Sequence, residues 1–374
     1  MAAKKQSYEE NITQIDEILE KLESEELSLD DSISEYEKAI KLIKDSEKLL
    51  EAGEGKVMKV LEKNGKVEME EFEWLGDKML QKYLKEKKKA VEDSLIELLE
   101  NYRSKYPEKL AEAMEYAVMN GGKRIRPILM YMICDLFEKN NCKSYDKIKE
   151  IAAALEFIHC YSLVHDDLPA MDNDDYRRGK LTVHKKYNEA IGVLVGDVLL
   201  TEAFGIIANS KSLGNKNKIE IISKLSEYAG FFGMVGGQFV DMESENKKVE
   251  IDTLKYIHAH KTGKLLTAAI ELPMIALDIE GEKREKMVEY SKLLGIAFQI
   301  KDDILDIEGD FEEIGKKSND VENEKTTYPS IFGLDESKRL LQEYLEKARK
   351  IISDDFNGNQ LFLELTDYFG NRKK

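Results

Sequence analysis

Two aspartate-rich clusters, each set into apolar sequence, constrain this chain more than any other feature. The first is HDDLPAMDND at 165–174, and the second is QIKDDILD at 299–306. Carboxylates on a largely buried helix stripe repel one another unless a cation lies between them. Mg²⁺ binds one or two protein carboxylates together with waters and substrate phosphate oxygens. Because 35% of the residues are charged, one cluster would be typical of a solvated helix end, but two favour a metal site.

Apolar residues recur at three- and four-residue steps through most of the chain. Val91, Leu95 and Leu98 form one such stripe, and Leu110 and Met114 belong to another. This spacing places the apolar residues on one face of a helix. No segment shows the alternation of a half-buried strand. We therefore predict an all-α bundle.

The charge is unevenly distributed, which indicates a domain boundary. Residues 1–78 hold 12 Lys and 22 acidic residues, more than half of the net charge of −17. We predict an antiparallel helical hairpin at 1–63, a linker at 64–78 and a large domain at 79–374. A two-helix hairpin buries little surface, so its apolar stripes either close on themselves or need a partner.

Composition excludes several classes of protein. The net charge of −17 argues against binding nucleic acid through bulk charge, which needs clustered Lys and Arg. Three cysteines, Cys134, Cys142 and Cys160, are too few for a disulfide scaffold and favour a reducing compartment. The N-terminus has no apolar signal core, and no apolar run approaches the roughly 20 residues of a membrane span. We therefore expect a cytoplasmic protein with no membrane span and no direct nucleic-acid site.

Basic residues lie where diphosphate groups would need them. GGKRIRP at 121–127 opens an apolar helix, and Lys123 and Arg126 lie three apart, on one helix face, near a helix N-terminus that favours anions. Arg177 and Arg178 follow the first acidic cluster. Any single pair would be typical of a solvated surface. Together with the acidic clusters, these residues suit two diphosphates, one held through metal and one held by Arg and Lys alone.

Residues 79–374 resemble the trans-isoprenyl diphosphate synthases of the bacterial farnesyl type. The motifs that carry the resemblance are GGKRIRP, HCYSLVHDDLPAMDNDDYRRG, GGQFVD, HKTG, FQIKDDILD and KTTYP. The resemblance implies an isoprenoid-synthase-type helical bundle around a deep central cavity, and a homodimer. It also implies that isopentenyl diphosphate condenses with dimethylallyl and geranyl diphosphates by ionisation, condensation and elimination.

The resemblance also implies roles for individual residues. The Mg²⁺ ligands, which would be catalytic together with Lys261, are Asp166, Asp167, Asp172, Asp302, Asp303 and Asp306. Contacts to the allylic diphosphate would come from Arg177, Lys261, Thr262, Gln299 and Lys316. Contacts to isopentenyl diphosphate would come from Lys123, Arg126, His159 and Arg178. Metal and cations would stabilise the departing diphosphate, and the isopentenyl double bond would attack the allylic cation before a proton is lost.

The length of the product depends on the residues before the first acidic cluster. Tyr161 and Ser162 lie five and four residues before Asp166, about one helical turn from the predicted metal site. In synthases that resemble this chain, a bulky aromatic residue here stops growth at fifteen carbons, so farnesyl diphosphate is the predicted product. Geranylgeranyl diphosphate is the alternative, because a neighbouring helix could reshape the cavity.

Most of residues 7–72 resembles the small subunit of exodeoxyribonuclease VII. The resemblance is carried by residues 7–57, and LESEELSLDDSISEY is the most specific part. The resemblance implies a non-catalytic hairpin that binds a separate large nuclease subunit, and therefore a natural fusion of two modules. Two other assignments fit the sequence less well, a terpene cyclase and a protein that serves chiefly as an interaction subunit of the nuclease. A terpene cyclase would not need GGKRIRP, and a protein that serves chiefly as a nuclease subunit would not need both acidic clusters intact.

Overall fold

The computed structural model describes residues 78–103, 105–138, 142–245, 247–313 and 326–372, together with Ile18 and Lys38. The chain divides into two units, 1–73 and 74–374. The division falls inside the predicted linker, whose boundaries stay predictions. The predicted N-terminal hairpin lies almost entirely outside the described residues.

The second unit is built from helices, and the prediction of an all-α fold is confirmed. In chain order the described elements are α1 (Lys78–Arg103), α2 (Glu108–Val118), α3 (Ile125–Phe137), α4 (Cys142–Asp166), β1 (Tyr176–Arg177), β2 (Lys180–Leu181), α5 (Val183–Lys186), α6 (Glu189–Asn209), α7 (Asn215–Ala229), α8 (Met234–Ser244), α9 (Ile251–Ile257), a π-helix (His258–Gly263), α10 (Lys264–Ala276), α11 (Glu282–Glu313), α12 (Tyr328–Phe332), α13 (Leu334–Asp355) and α14 (Gln360–Asn371). The antiparallel β1–β2 hairpin was not predicted, because two-residue strands are too short to show alternation.

Helix α10 forms the centre of the bundle. Every residue from Leu265 to Ala276 is buried, and the helix packs against α3, α4, α7 and α11. A helix that is apolar all round belongs inside a core rather than at its surface. Glu271 is the one charged residue in this stretch, and it accepts hydrogen bonds from Tyr228 and Arg284. The pairing offsets the free-energy cost of burying that carboxylate.

Helices α4 and α6 approach each other closely at two glycines. A Cβ at Gly196 would overlap the ring of His165, and a Cβ at Gly192 would press on the side chain of Leu168. The His165 Nε2 atom lies 3.0 Å from the carbonyl oxygen of Val193. Helix α6 therefore packs closely against the C-terminal end of α4, which ends at Asp166.

Helix α6 is also the one described helix whose length and composition would allow it to cross a membrane. The prediction that no apolar run approaches such a length is wrong for this 21-residue segment. Core helices of soluble proteins pass the same test, and α6 packs along α4. Val193 and Leu194 are exposed on α6. The cytoplasmic location stays a prediction.

Candidate active site

Three cavities of different character meet inside the bundle. The basic cavity, about 740 Å³, is lined by Lys88, Lys123, Arg124, Arg126, Glu156, His159, Arg178, Lys180, Phe298, Tyr368 and Arg372 among others. The apolar cavity, about 590 Å³, is lined by Tyr161, Ser162, Leu168, Met171, Val193, Phe239 and Met242 together with Asp166 and Lys261. The acidic cavity, about 320 Å³, is lined by Asp241, Lys261, Gln299, Asp302, Asp303 and Asp306 among others. Thr262 lines all three.

A π-helix places Lys261 and Thr262 at this junction. The segment His258–Gly263 interrupts the α-helical run between α9 and α10, and such segments inside α-helices are frequent at functional sites. Helix α8 passes so close that a Cβ at Gly237 would collide with the backbone of Lys261. The Lys261 Nζ atom lies 2.6 Å from the Asp241 carboxylate, which is also on α8.

The first acidic cluster begins where α4 ends. The backbone N–H of Asp172 donates to the carbonyl oxygen of Asp166 at 2.8 Å, so the chain folds back directly after the helix. Asp167 is buried, and its carboxylate accepts from Arg177 on the β1–β2 hairpin, with one guanidinium nitrogen at 2.5 Å. Asp166 lines the apolar cavity, whereas Asp167 and Asp172 line none of the three cavities.

The second acidic cluster lies on α11. Asp302 pairs with Arg372 at 2.6 Å, and Gln299 Nε2 lies 3.5 Å from the same carboxylate. The Asp303 carboxylate accepts from the backbone N–H of Tyr328 at 2.8 Å. Asp302, Asp303 and Asp306 all line the acidic cavity, as the helical spacing predicted for the first and last of them. Lys316 lies outside the described residues.

The carboxylates of these clusters fit a divalent cation. Burial raises the pKa of Asp166 to about 6, Lys261 lowers it, and the neighbouring Asp172 and Asp167 raise it further. A buried carboxyl beside other carboxyls is one whose ionised form a cation would stabilise. Within the described ranges, no three His, Cys, Asp or Glu side chains form a metal-binding group by themselves. All the donors offered are oxygens, the ligand type that Mg²⁺ prefers, and substrate phosphates can complete its coordination.

The basic cavity opens on a tight loop before α3. Lys123 lies in this loop and not on the helix, because α3 begins only at Ile125, so the predicted shared helix face of Lys123 and Arg126 is wrong. Gly121 and Gly122 have φ of 89° and 117°, values that glycine tolerates best. Arg178 donates to the carbonyl oxygen of Gly121.

His159 and Arg126 form the inner wall of this cavity. The Arg126 Nη1 atom lies 3.4 Å from His159 Nε2. Burial, together with Arg126 and Arg178, holds the pKa of His159 well below its ordinary value. The imidazole is therefore neutral at pH 7. Both residues also line the apolar cavity, so they connect the two spaces.

The residues predicted to set product length line the apolar cavity. Tyr161 is buried, and its ring stands edge-on to that of His165 at a centroid distance of 5.9 Å. Burial raises the pKa of Tyr161 to about 12. Ser162 donates to the carbonyl oxygen of His159 at 2.9 Å. Tyr161 therefore presents a neutral, fixed aromatic ring to the cavity.

Three residues in these cavities were assigned no role from the sequence. Asp241 orients Lys261, Glu156 is the carboxylate of the basic cavity, and Arg372 pairs with Asp302. Asp241 lies inside the GGQFVD motif, which could have drawn attention to it. Glu156 and Arg372 carry no sequence signal, because one stands alone in an apolar helix and the other follows a terminal helix.

The fold and these cavities define an all-α enzyme that handles two anionic substrates and a hydrocarbon chain. Residues 107–357 match the polyprenyl synthetase family, and the chain belongs to that family. Residues 8–59 match the exonuclease VII small subunit family, so the chain is a fusion of the two.

Individual relatives agree with this assignment. The chain is 46% identical to the farnesyl diphosphate synthase of Micrococcus luteus, over 71% of this chain and 91% of that protein. It is 40% identical to the farnesyl diphosphate synthase of Bacillus subtilis, over 78% of this chain and 98% of that protein. A crystal structure of a geranyltransferase from Legionella pneumophila superposes with a TM-score of 0.69 at 33% identity, covering 79% of this chain and 98% of the other.

Proposed function

We propose that this chain, a trans-prenyltransferase of the polyprenyl synthetase family, joins isopentenyl diphosphate to dimethylallyl and geranyl diphosphates and releases farnesyl diphosphate. The observation that carries the proposal is the meeting of three unlike cavities at Thr262. The acidic cavity suits a diphosphate held through a cation, and the basic cavity suits one held by Arg and Lys. The apolar cavity suits a hydrocarbon chain.

The acidic clusters would hold the metal. The proposed Mg²⁺ ligands are Asp166, Asp167, Asp172, Asp302, Asp303 and Asp306. When bound, Mg²⁺ supplies stabilisation of the negative charge on a departing diphosphate. The three aspartates on α11 line one cavity with Asp241, which supports their role.

Cationic side chains at the same end would bind and orient the allylic diphosphate. Lys261 lines both the acidic and the apolar cavity, so it lies where a diphosphate and its hydrocarbon tail would join. The other proposed contacts are Arg177, Thr262, Gln299 and Lys316. Positive charge placed here favours departure of the diphosphate, because charge develops on it as the carbon–oxygen bond breaks.

The basic cavity would hold isopentenyl diphosphate through Lys123, Arg126, His159 and Arg178. Arg126 offers charged donors, and the neutral His159 adds a hydrogen-bonding group without further positive charge. Both residues also face the apolar cavity, so a molecule held by them reaches the junction at Thr262. The apolar lining of the neighbouring cavity would limit the access of water, which would otherwise quench an allylic cation.

The product should have fifteen carbons, because Tyr161 presents a buried ring to the apolar cavity. The test is to incubate the full chain with isopentenyl diphosphate, dimethylallyl diphosphate and Mg²⁺ and to measure product length by mass spectrometry. Tyr161→Ala should shift the product beyond fifteen carbons, whereas Tyr116→Ala, which changes a tyrosine outside the three cavities, should not. A twenty-carbon product from the unaltered chain would instead support the geranylgeranyl alternative.

Exposed apolar side chains on α6 and between α7 and α8 support the proposed homodimer. Phe231 and Phe232, between α7 and α8, are 81% and 69% exposed, and Val193 and Leu194 are exposed on α6. Apolar groups of this size in water favour association with another surface. Light scattering should give twice the mass of one chain, and Phe232→Asp should shift the protein towards the monomer.

The N-terminal module would bind the large subunit of exonuclease VII. The match over residues 8–59 supports this proposal. Co-purification with the large subunit from the same host tests it directly. Retention of the full-length chain would support a protein with two roles, and no retention would contradict the partner assignment.

A further inference from the structure

The basic cavity contains one carboxylate among many cations. Seven of its lining residues are basic: Lys88, Lys123, Arg124, Arg126, Arg178, Lys180 and Arg372. Glu156 is the acidic one, and it is only 2% exposed. It lies on α4, one turn before His159. A buried carboxylate in a cavity that would receive an anion requires a physical reason, because its charge opposes that of the ligand.

The partner of Glu156 is Arg124, which is 3% exposed. The Arg124 Nη1 atom donates to Glu156 Oε1 at 2.5 Å, and Nη2 donates to the carbonyl oxygen of Val118 at 2.6 Å. The guanidinium therefore joins the last residue of α2 to the middle of α4. The Arg124 side chain therefore ties the two ends of the loop between α2 and α3, which carries Lys123, while Arg178 binds the same loop at Gly121.

The backbone of Arg124 is also unusual. Its φ is 54°, in the left-handed region, and it is the residue directly before α3. A residue with a side chain pays free energy to adopt this conformation, so other contacts must hold it there. The hydrogen bonds from the Arg124 guanidinium to Val118 and Glu156 stabilise this backbone conformation. Together they set where the loop ends and where α3, which carries Arg126, begins.

We infer that the buried Arg124–Glu156 pair is a positioning pair for the second diphosphate: it fixes the loop and helix start that carry Lys123 and Arg126 and does not itself contact substrate. Glu156 also acts on the neighbouring guanidinium groups. Burial lowers the pKa of Arg126 and Arg178, and Glu156 opposes that effect. The inference rests on the proposed function, in which the basic cavity holds isopentenyl diphosphate.

A purely structural role for the pair makes a different prediction. Buried ion pairs can often be replaced by apolar residues of similar size with little loss of stability, whereas removal of one partner alone is destabilising. A double variant can therefore retain the fold while losing the ion pair that fixes the positions of Lys123 and Arg126. If the pair only stabilised the packing of the helices, such a variant would keep both its stability and its affinity for each substrate.

The experiment compares the unaltered full chain with the double variant Arg124→Met, Glu156→Met. The KM for isopentenyl diphosphate and the KM for dimethylallyl diphosphate are measured separately, with the melting temperature as a check on folding. We expect the KM for isopentenyl diphosphate to rise at least tenfold and the KM for the allylic substrate to stay within twofold. An unchanged KM for isopentenyl diphosphate in a folded double variant would overturn the inference.

Two single variants keep the test decisive if the double variant does not fold. Arg124→Lys keeps the charge but cannot span Val118 and Glu156 with one planar group, and Glu156→Asp keeps the charge but shortens its reach. Each should raise the KM for isopentenyl diphosphate about threefold to tenfold. Folded single variants with the KM of the unaltered chain would contradict the positioning role.

The matched control is a second ion pair, between the half-buried Arg284 and the buried Glu271, whose nitrogen and oxygen lie 2.7 Å apart. Neither residue lines the three cavities, so Arg284→Met, Glu271→Met should leave both KM values unchanged. Calorimetric binding of isopentenyl diphosphate separates the two proposals. If the unaltered chain binds isopentenyl diphosphate but makes no product, the proposed function fails. The positioning role of the Arg124–Glu156 pair would still be tested, because its variants should bind isopentenyl diphosphate more weakly than the unaltered chain does.

Discussion

The acidic cavity and the basic cavity meet at Thr262, but their charges are balanced in different ways. The acidic end of the site comprises the acidic cavity and the first aspartate cluster, and the basic end is the basic cavity. At the acidic end, each of three aspartates has its own cation, and the pairs are Asp167 with Arg177, Asp241 with Lys261, and Asp302 with Arg372. At the basic end, Glu156 is the one carboxylate among seven basic residues.

This difference separates two kinds of ion pair. At the acidic end the paired groups include the proposed ligands of metal and diphosphate, so these pairs have to exchange partners when substrate binds. The Arg124–Glu156 pair is almost fully buried, and the further carboxylate near Arg124 is that of Glu92, 3.9 Å from Nε. In the proposed function, substrate binding opens the ion pairs at the acidic end and leaves the Arg124–Glu156 pair closed.

The largest effect is expected from removing a carboxylate at the acidic end. Asp302→Ala should lower kcat by about 10³-fold, because it removes a proposed metal ligand from a site that stabilises a leaving diphosphate. Steady-state prenyl transfer measures this effect. Asp354→Ala, which removes an exposed carboxylate outside the three cavities, is the control. If Asp302→Ala retained more than a tenth of the activity, Asp302 could not be a metal ligand. The same variant should still bind the nuclease large subunit.

A cation at the basic end should act on one substrate only. Arg126→Met should raise the KM for isopentenyl diphosphate about 10²-fold, because charge-assisted hydrogen bonds contribute roughly 1.5–3 kcal/mol. Lys88→Met, at a partly exposed residue of the same cavity, should change it only a few-fold. Initial rates with each substrate varied in turn provide the measurement. Equal effects on the two substrates would mean that the acidic and basic ends are not specialised.

A smaller effect is expected from crowding the loop of the basic cavity. A Cβ at Gly122 would lie 2.5 Å from Arg178 Nη1, and the φ of 117° disfavours any side chain. Gly122→Ala should therefore displace Arg178 and raise the KM for isopentenyl diphosphate about tenfold. Gly214→Ala is the matched control, because its Cβ would meet no atom within 4 Å. A normal KM for Gly122→Ala would show that Arg178 does not need its present position.

The smallest effect concerns stability and pH at the acidic end. Burial lowers the pKa of His258 from 6.5 to about 4, so the folded chain holds this ring neutral while the unfolded chain protonates it. Because the unfolded chain binds this proton below about pH 6.5 and the folded chain only below about pH 4, stability is lost progressively as the pH falls from 6.5 towards 4. Between pH 7 and 5.5 the unaltered chain should lose about 1 kcal/mol more than His258→Asn. Urea denaturation at both pH values measures this difference, and equal losses would contradict it.

The sequence was most informative where a motif is local. The two aspartate clusters and the GGKRIRP segment could be located from the residues alone, because their members lie within one or two helical turns of each other. The role of Tyr161 and Ser162 in product length came from the family resemblance. The all-α class followed from the three- and four-residue periodicity. Such patterns record which residues share a face of one element.

Contacts between distant elements could not be predicted in the same way. Arg372 reaches Asp302 across 70 residues of sequence, and Glu156 reaches Arg124 across 32. The prediction that Lys123 lies on a helix face was wrong for a related reason. Helix α3 begins only after Arg124, whose left-handed conformation is stabilised by tertiary contacts. These features depend on packing that a single stretch of sequence does not contain.

The π-helix at His258–Gly263 has a consequence for which changes this region can accept. A wide turn of this kind holds one residue more than an α-helical turn. Deleting the extra residue would restore regular helix and leave the orientation of α10 nearly unchanged, because a wide turn and an α-helical turn each complete one circle around the axis. Within the segment, successive side chains would instead be spaced by about 100°, the angle of an α-helix, so Lys261 and Thr262 would point in new directions. The placement of these two side chains at the junction of the cavities therefore depends on the length of the segment.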